Sequence, residues 1–530
     1  MIFKVYSTDF EIPLTPVDVV YLIEDNWNDW WEYKTMYTLY YIDRAGVKHH
    51  IGSVKIGQEK MKEKRPDLPS SFQSLSNSFF SVGQDVDYYS NLNKLAGDTR
   101  HGILAALNDI ALKPDVYERV RLNRVVRVSL LRDVRKVSIE GQYRRLANGD
   151  ARLTRYEFTY RGPKVKGVNE RLELSFDVKP KSNPPSNVHV VIGRNAVGKT
   201  HLLNNMIKSL IDNNANRASV GYFVSTQQEN PEVEEIFANV VFVSFSAFDI
   251  TEPVHEQKDK SMGIQFSYIG LKQVKKGLPP KSPDKLKKEF GKSLYACKSS
   301  SKITRWLRAV EMLNADPIFQ EANISSILED QPDEDTEVLY KDLVQSDDKG
   351  WISPEDKRLM QRAESFFHRL SSGHKIVLLT LTRLVETVEE RTLVLLDEPE
   401  AHLHPPLLSA FTRALSDLLV SRNAVGIIAT HSPVIVQEVP KSCVWKLRRS
   451  GLEVSASRSE IETFGENLGS LTREIFELEV TYSGFYKMLD KAVEDLDDYD
   501  EVVDHFNDEL GMEARAIIRG LIASRDRGGE

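Results

Sequence analysis

A chain of 530 residues is too long for one ordinary core, so two or three domains or one elaborated domain are expected, and 41% apolar with 28% charged residues is globular composition. The net charge of -8 argues against a uniformly basic coat for nucleic acid, although local charge departs from the total. Cys297 and Cys443 are too few for a disulfide framework or a cysteine zinc site, and no stretch reads as a signal peptide or a membrane span, so a soluble cytoplasmic protein with no membrane attachment is expected.

Residues 1–150 read as a β-rich N-terminal lobe. "YKTMYTLYYIDRAGVKHHIGSVKIG" alternates around a turn at Ala45-Gly46, and a polar tract rich in Ser and Asn follows at 69–92. A helix is expected from Gly97 through "DTRHGILAALNDIAL", ending at Pro114. Trp27, Trp30 and Trp31 are a stacking platform for bases or, as aromatics beside strands more often are, local core. "RVVRVSLL", "TRYEFTY" and "RLELSFDV" read as strands leading onward.

Residues 151–250 carry the first nucleotide-directed signal. After the apolar "NVHVVI", Gly193 to Thr200 reads G-x-x-x-x-G-K-T, and "HLLNNMIKSLIDN" continues with helical spacing. That pattern is strand, loop, helix. Glycines at Gly193 and Gly198 let the N–H groups of Arg194, Asn195, Ala196 and Val197 close around phosphate oxygens. Lys199 reaches the β and γ phosphates, the Thr200 hydroxyl ligates magnesium, and His201 continues the helix N-terminus with its positive dipole end. The competing reading is a Gly-rich turn matched by chance.

Residues 251–365 read as a helical insertion, Lys-rich from Lys258 to Arg305, which is either a candidate contact for a nucleic-acid backbone or a solvated surface. Residues 366–455 hold three further signals. In "RLSSGHKIVLLTLTRLVETV", Ser371, Ser372 and Gly373 stand at a helix N-terminus, a second place for an anion or an ordinary serine cap. "RTLVLLDEPEAHLHP" is a buried strand ending in Asp397, which can hold magnesium through water, and Glu398, which can polarise an attacking water. "VGIIATHSP" is a short strand ending in His431, placed for the γ-phosphate or the attacking water. Residues 456–530 read as a helical, acidic segment, a partner dock or a charged outer face.

The order of these four motifs resembles the ATP-binding-cassette ATPases, in particular the soluble branch with the SMC proteins and OLD-type ATPases, over roughly 150–450. The resemblance implies an α/β P-loop NTPase fold of ABC type, ATP and Mg2+ as ligands, and ATPase activity. It matches "LSSGH" to the family signature, with Ser371 and Gly373 as its Ser and second Gly and with Ser372 and His374 in place of the usual Gly and Gln. It places His402 and His404 in the dimer-facing D-loop, and finds no Q-loop glutamine where Ser246, Phe248 and Asp249 stand, Gln265 being the alternative. It further implies a homodimer or higher oligomer in which the signature of a second copy covers the nucleotide.

Within that branch the chain looks most like the PtuA ATPase subunit of Septu-type and retron-associated anti-phage systems, with "TFGENLGSLTREIF" adding to the impression. This implies a regulatory role beside a separate HNH-type nuclease. A repair or tethering ATPase that clamps DNA is the alternative. An OLD-type enzyme with its own nuclease domain is disfavoured, because the residues after His431 leave little room for it and read helical. No HNH arrangement is present: His49 and His50 lack the spaced partners, and Asp495, Asp497 and Asp498 point different ways on a helix.

Overall fold

The computed structural model describes the chain except for residues 9–10, 14, 26–31, 62–63, 133, 135–137, 151–152, 169, 213, 226–235, 247–263, 274–277, 299, 330–353, 477–483, 497 and 529–530. Trp27, Trp30, Trp31, Phe248, Asp249, Lys258, Lys260, Lys275, Lys276 and Asp497 therefore lie outside the described residues.

The N-terminal lobe is a six-stranded sheet in the order β5-β1-β2-β3-β4-β6, made of β1 (Ile2–Tyr6), β2 (Val19–Glu24), β3 (Met36–Ile42), β4 (Lys48–Gln58), β5 (Ser71–Phe72) and β6 (Phe79–Gly83). Period-two alternation in β3 turns Tyr37, Leu39 and Tyr41 to the core, where Leu92, Ile103, Leu104 and Leu107 from the following helices cover them. The helix expected from Gly97 closes at Ala106, short of Pro114. Asn108 stops it: at φ +50 it leaves the helical path, and its amide donates to Ser76 O at 3.0 Å and Phe79 O at 3.2 Å.

One expectation fails here. "RVVRVSLL" is not a strand; Val126–Leu130 is a π-helical turn. Its β-branched residues favour extended backbone, but tertiary partners outweigh that preference. The fully buried Lys55 ammonium needs acceptors and finds Ser129 O at 2.9 Å, Thr35 and Ser129 share a hydroxyl bond of 2.7 Å, and the turn delivers both Val126 and Leu130 to the core.

Asp109, also fully buried, accepts from Tyr89 Oη at 3.0 Å and from the N–H groups of Ala111 and Leu112, yet burial still pushes its carboxyl up to about 7. The folded chain thus holds a proton that the unfolded chain gives up near pH 4. Stability from this group is complete below pH 4 and is lost as the pH rises toward 7, on the order of 4 kcal/mol in total. Urea unfolding at pH 5 and pH 8 checks this: the parent should be weaker at pH 8, and Asp109→Asn should flatten the difference.

The larger body is built on a seven-stranded sheet in the order β12-β11-β13-β14-β9-β15-β16. Its strands are β9 (Val188–Gly193), β11 (Asn239–Ser244), β12 (Gln265–Gly270), β13 (Thr392–Asp397), β14 (Val425–Thr430), β15 (Val444–Ser450) and β16 (Glu453–Arg458), all parallel to their neighbours except β16. Alternate residues of one strand serve two cores, as a parallel sheet covered on both faces requires. Val190 and Ile192 face the helical side, with Leu378, Leu381, Leu415 and Trp306, while Val191 faces Leu203, Met206, Phe158 and Phe176. The latter face is closed by a small antiparallel sheet of β10 (Tyr222–Ser225), β7 (Tyr156–Arg161) and β8 (Glu173–Val178).

The helical side carries helices Pro283–Cys297, Ser300–Leu313, Pro317–Ala322 and Pro354–Arg369 of the insertion, packed against Ser372–Thr387 and Pro405–Arg422. Trp306 Nε1 donates to Thr382 Oγ1 at 2.8 Å at the centre of that packing. Buried and half-buried charges join the lobe to this body: Asp85 lies 3.1 Å from Arg305 and 3.8 Å from Arg422, which also pairs with Glu389, while Arg145 pairs with Glu390. At the C-terminal end, helices Phe485–Asp495, Tyr499–His505 and Met512–Gly528 enclose a separate small core of Leu489, Val493, Val502 and Ile518. Among the described residues no helix is long and apolar enough to cross a membrane.

Candidate nucleotide site

The site arises from strand order. β13, β14 and β9 are neighbours whose carboxyl ends stand level, Asp397 opposite Ala429 and Thr430 opposite Ile192. Whatever follows these strands therefore converges on one crevice, the place where open parallel sheets take ligands. The phosphate-loop motif, the D-E pair and His431 all follow them.

The helix after β9 runs Lys199–Ile211, so Arg194 to Gly198 forms the loop between strand and helix, with Gly193 as the last residue of the strand. Arg194, Asn195 and Ala196 are exposed, Val197 is buried beneath them, and His201 points outward from the first helical turn. Ala196 and Gly198 take φ of +64° and +103°, conformations that turn successive N–H groups to one side. Gly193 is needed for space, since a Cβ there would lie 2.7 Å from Leu447 O.

Lys199 Nζ, 4% exposed, donates to Gly193 O at 2.9 Å and Arg194 O at 3.0 Å and lies 3.6 Å from Glu398 Oε1. Thr200 Oγ1 donates to the buried Asp397 carboxylate at 3.1 Å, so hydroxyl and carboxylate point at one spot. Glu398 sits in the left-handed region at φ +46°, its N–H held by Ala429 O at 2.9 Å, and this strained strand end swings its carboxylate into the crevice. His431 Nδ1 is 3.7 Å from Glu398 Oε1. The fit to ATP and magnesium is therefore chemical: a cationic amine at an N–H-lined loop for phosphate, and the Thr200 and Asp397 oxygens for the ion.

Two neighbours escaped the sequence reading. Glu400 Oε1 accepts from Thr430 Oγ1 at 2.5 Å and His431 N at 2.8 Å and lies 3.1 Å from His431 Nδ1, fixing that ring from below. It stands inside "DEPEAH", two residues past Glu398, where only the fold reveals what it faces. Arg449 Nη1, from the neighbouring β15, reaches Ala196 O at 3.5 Å.

Ser371 occupies the N-cap of helix Ser372–Thr387, without a side-chain capping bond. Ser371 and Ser372 are exposed, and Gly373 is buried against the D-E segment, where a Cβ would lie 2.6 Å from His402 O. Within one chain the described contacts of Ser371 run to His374 Nδ1, at 2.6 Å, and not to Lys199, Thr200 or Asp397. His374 Nε2 meets Asp316 Oδ1 at 3.1 Å. Burial pulls the Asp316 carboxyl up, but the His374 imidazole and the N–H groups of Phe319 and Ile318 outweigh it and hold it low. Of the Q-loop positions, Ser246 follows the level end of β11, whereas Gln265 pairs with Asn239 at the opposite end of the strands, away from Asp397. Outside the crevice, His49 is engaged with Asp43 at 2.9 Å.

The chain is 39% identical over 535 residues to protein ea59 of Escherichia phage lambda, a comparison that covers 99% of both chains. A family model described as "AAA domain, putative AbiEii toxin, Type IV TA system" matches residues 314–437, the stretch from Asn314 that contains Ser371, Asp397, Glu398 and His431. Among solved structures, an ATP-binding cassette of an ABC transporter in its ADP conformation is 14% identical, with a TM-score of 0.28, covering 62% of this chain and 98% of that one. Another, cbiO1 of Clostridium perfringens, part of the cbiONQ transporter complex, is 16% identical with a TM-score of 0.26 over 62% of this chain and 94% of its own. The strand order, the loop after β9 and the matched family model together make this a P-loop NTPase fold of ABC-ATPase type.

Proposed function

The chain belongs to the family of protein ea59 of phage lambda, and from that membership and the crevice we propose that it binds and hydrolyses ATP with magnesium at a composite site of a homodimer. The observation that carries the reading is the convergence of Lys199, Thr200, Asp397, Glu398 and His431 at the ends of three adjacent strands. Lys199 and the loop N–H groups grip the phosphates, and Thr200 and Asp397 would hold Mg2+, which supplies charge neutralisation at the phosphoryl oxygens. Glu398, about a third exposed and held beside Lys199 and His431, takes the proton of the attacking water. Glu400 keeps the His431 ring turned toward that water and the γ-phosphate.

Beyond the ATPase, we infer a cytoplasmic regulatory subunit of an anti-phage complex whose nucleotide state gates a separate nuclease of HNH type. The separate C-terminal helical unit, apolar inside and acidic in sequence, supports a docked partner, and the insertion lysines support contact with nucleic acid. The alternative, an SMC-like repair or tethering ATPase, uses the same crevice and differs in lacking the nuclease.

One preparation tests the reading. The purified full chain should hydrolyse ATP only with a divalent ion, Lys199→Ala should bind no ATP, and neither should cut plasmid, single-stranded DNA or tRNA. ATP-independent cleavage by the lone chain that survives extensive purification, or unchanged ATP binding by Lys199→Ala, would sink it.

A further inference from the structure

Behind the signature serine lies a cluster that the ATPase chemistry leaves unused. Asp316, His374 and His404 come from three separate places: the N-cap of helix Pro317–Ala322, the first turn of helix Ser372–Thr387, and the N-cap of helix Pro405–Arg422. One ligating atom from each lies within 4.8 Å of the others. Asp316 Oδ1 is 3.1 Å from His374 Nε2, and Oδ2 is 3.5 Å from His404 Nε2.

The Oδ2–His404 spacing matches one edge of a tetrahedron about an ion with ligands near 2.1 Å, which is about 3.4 Å long, and His374 Nε2 lies beside the same carboxylate, close enough to complete the set with a small shift. Rigidity favours the same reading. Asp316 Oδ1 accepts from the N–H groups of Ile318 at 3.0 Å and Phe319 at 3.2 Å, which fixes the carboxylate and leaves Oδ2 for a ligand. The Phe319 ring stands edge-on to His374, centroids 4.7 Å apart, which fixes the imidazole. Asp316 and His374 are almost wholly buried, whereas the His404 side chain is 49% exposed and opens the cluster to solvent. Two imidazoles with one carboxylate select a first-row transition dication over magnesium or calcium, which prefer oxygen ligands.

We propose that Asp316, His374 and His404 form a binding site for one transition-metal dication, zinc by its ligand set, with a fourth position open to water. The site shares no residue with Thr200 and Asp397, which would hold Mg2+ in the nucleotide crevice. Its reach to Ser371 rests on the ATPase reading. Without the ion, His374 Nε2–H donates to the carboxylate, and in the neutral ring Nδ1 is left to accept the Ser371 hydroxyl proton. An ion on Nε2 requires the proton on Nδ1, so the ring keeps one proton and becomes the donor to Ser371 Oγ. The Ser371 O–H is thereby released to donate outward, toward a phosphate carried by the second copy.

The test uses the full chain, stripped with chelator and titrated with Co2+ and then Zn2+ without nucleotide. One ion per chain should bind, Co2+ should show the visible absorption of tetrahedral coordination, and Zn2+ but not millimolar Mg2+ should displace it. His404→Ala, at a half-exposed position, and Asp316→Asn should each weaken binding at least tenfold, since loss of a direct ligand costs no less than the roughly tenfold that disturbing its outer-shell partners costs. Lys199→Ala should bind the ion as the parent does, so failure of the ATPase reading leaves this measurement untouched. No bound ion, or equal affinity in His404→Ala, overturns the site. A parent whose ATP turnover is unmoved by the ion overturns the Ser371 step.

Discussion

Glu398→Gln should leave ATP bound and slow its hydrolysis by about a hundred- to ten-thousand-fold, the usual contribution of a positioned general base. The amide is isosteric, and the N–H that anchors the strand end to Ala429 O is main chain, so the phosphate loop keeps its shape. What disappears is the carboxylate that, among the described residues, lies beside both Lys199 and His431 with room to accept a proton. Glu400 is poorly placed to replace it: its side chain is 7% exposed, its Oε1 already takes the Thr430 hydroxyl, the His431 N–H and the His431 ring, and its Oε2, although without a hydrogen-bond partner, is buried away from an attacking water. Equilibrium dialysis with nucleotide and single-turnover hydrolysis separate the two steps. Parent-like turnover by the variant would remove Glu398 from the mechanism.

The parts of this protein that were legible in its sequence are those whose chemistry is local. A strand of Val and Ile, a glycine loop and an amphipathic helix follow one another between Val188 and Ile211, so periodicity and turn residues alone describe them. Asp397 and Glu398 end an apolar run for the same reason. Legibility fails where a partner distant in sequence decides. Val126–Leu130 turns because Lys55 and Thr35, far back in the chain, require Ser129. Gln265 has a suitable side chain, but only the register with Asn239 shows that it lies at the wrong end of the sheet. Glu400 was in plain view, and its function depends on β14 lying beside β13, which no short window contains. Asp316, separated by 58 residues from His374, carries no motif at all.

Mixing Lys199→Ala with Ser371→Arg should restore ATP hydrolysis that neither variant shows alone. The expectation follows from where the two halves sit in one chain: the loop at the end of β9 is the proposed phosphate grip, while Ser371 stands at the start of a helix tied through His374 to Asp316 and packed at Gly373 against His402 O. Both are loop or helix ends suited to phosphate, and the described contacts of Ser371 do not include the loop, so in the proposed composite site a second copy supplies the exposed Ser371 end. Ser371→Arg leaves the helix cap undisturbed, because that serine makes no capping bond, and puts a bulky side chain where the γ-phosphate would lie. In a head-to-tail pair of one variant with the other, one site carries both defects and the other carries neither. Random pairing at equal concentrations makes about half of the dimers mixed, each with one of its two sites intact, and so about a quarter of the parent rate. Two tags on the two variants isolate the mixed dimer, and its rate per site should equal that of the parent. Captured mixed dimers with no turnover at any ratio would mean that each chain completes its own site, and Ser371 would then have no part in a partner's site.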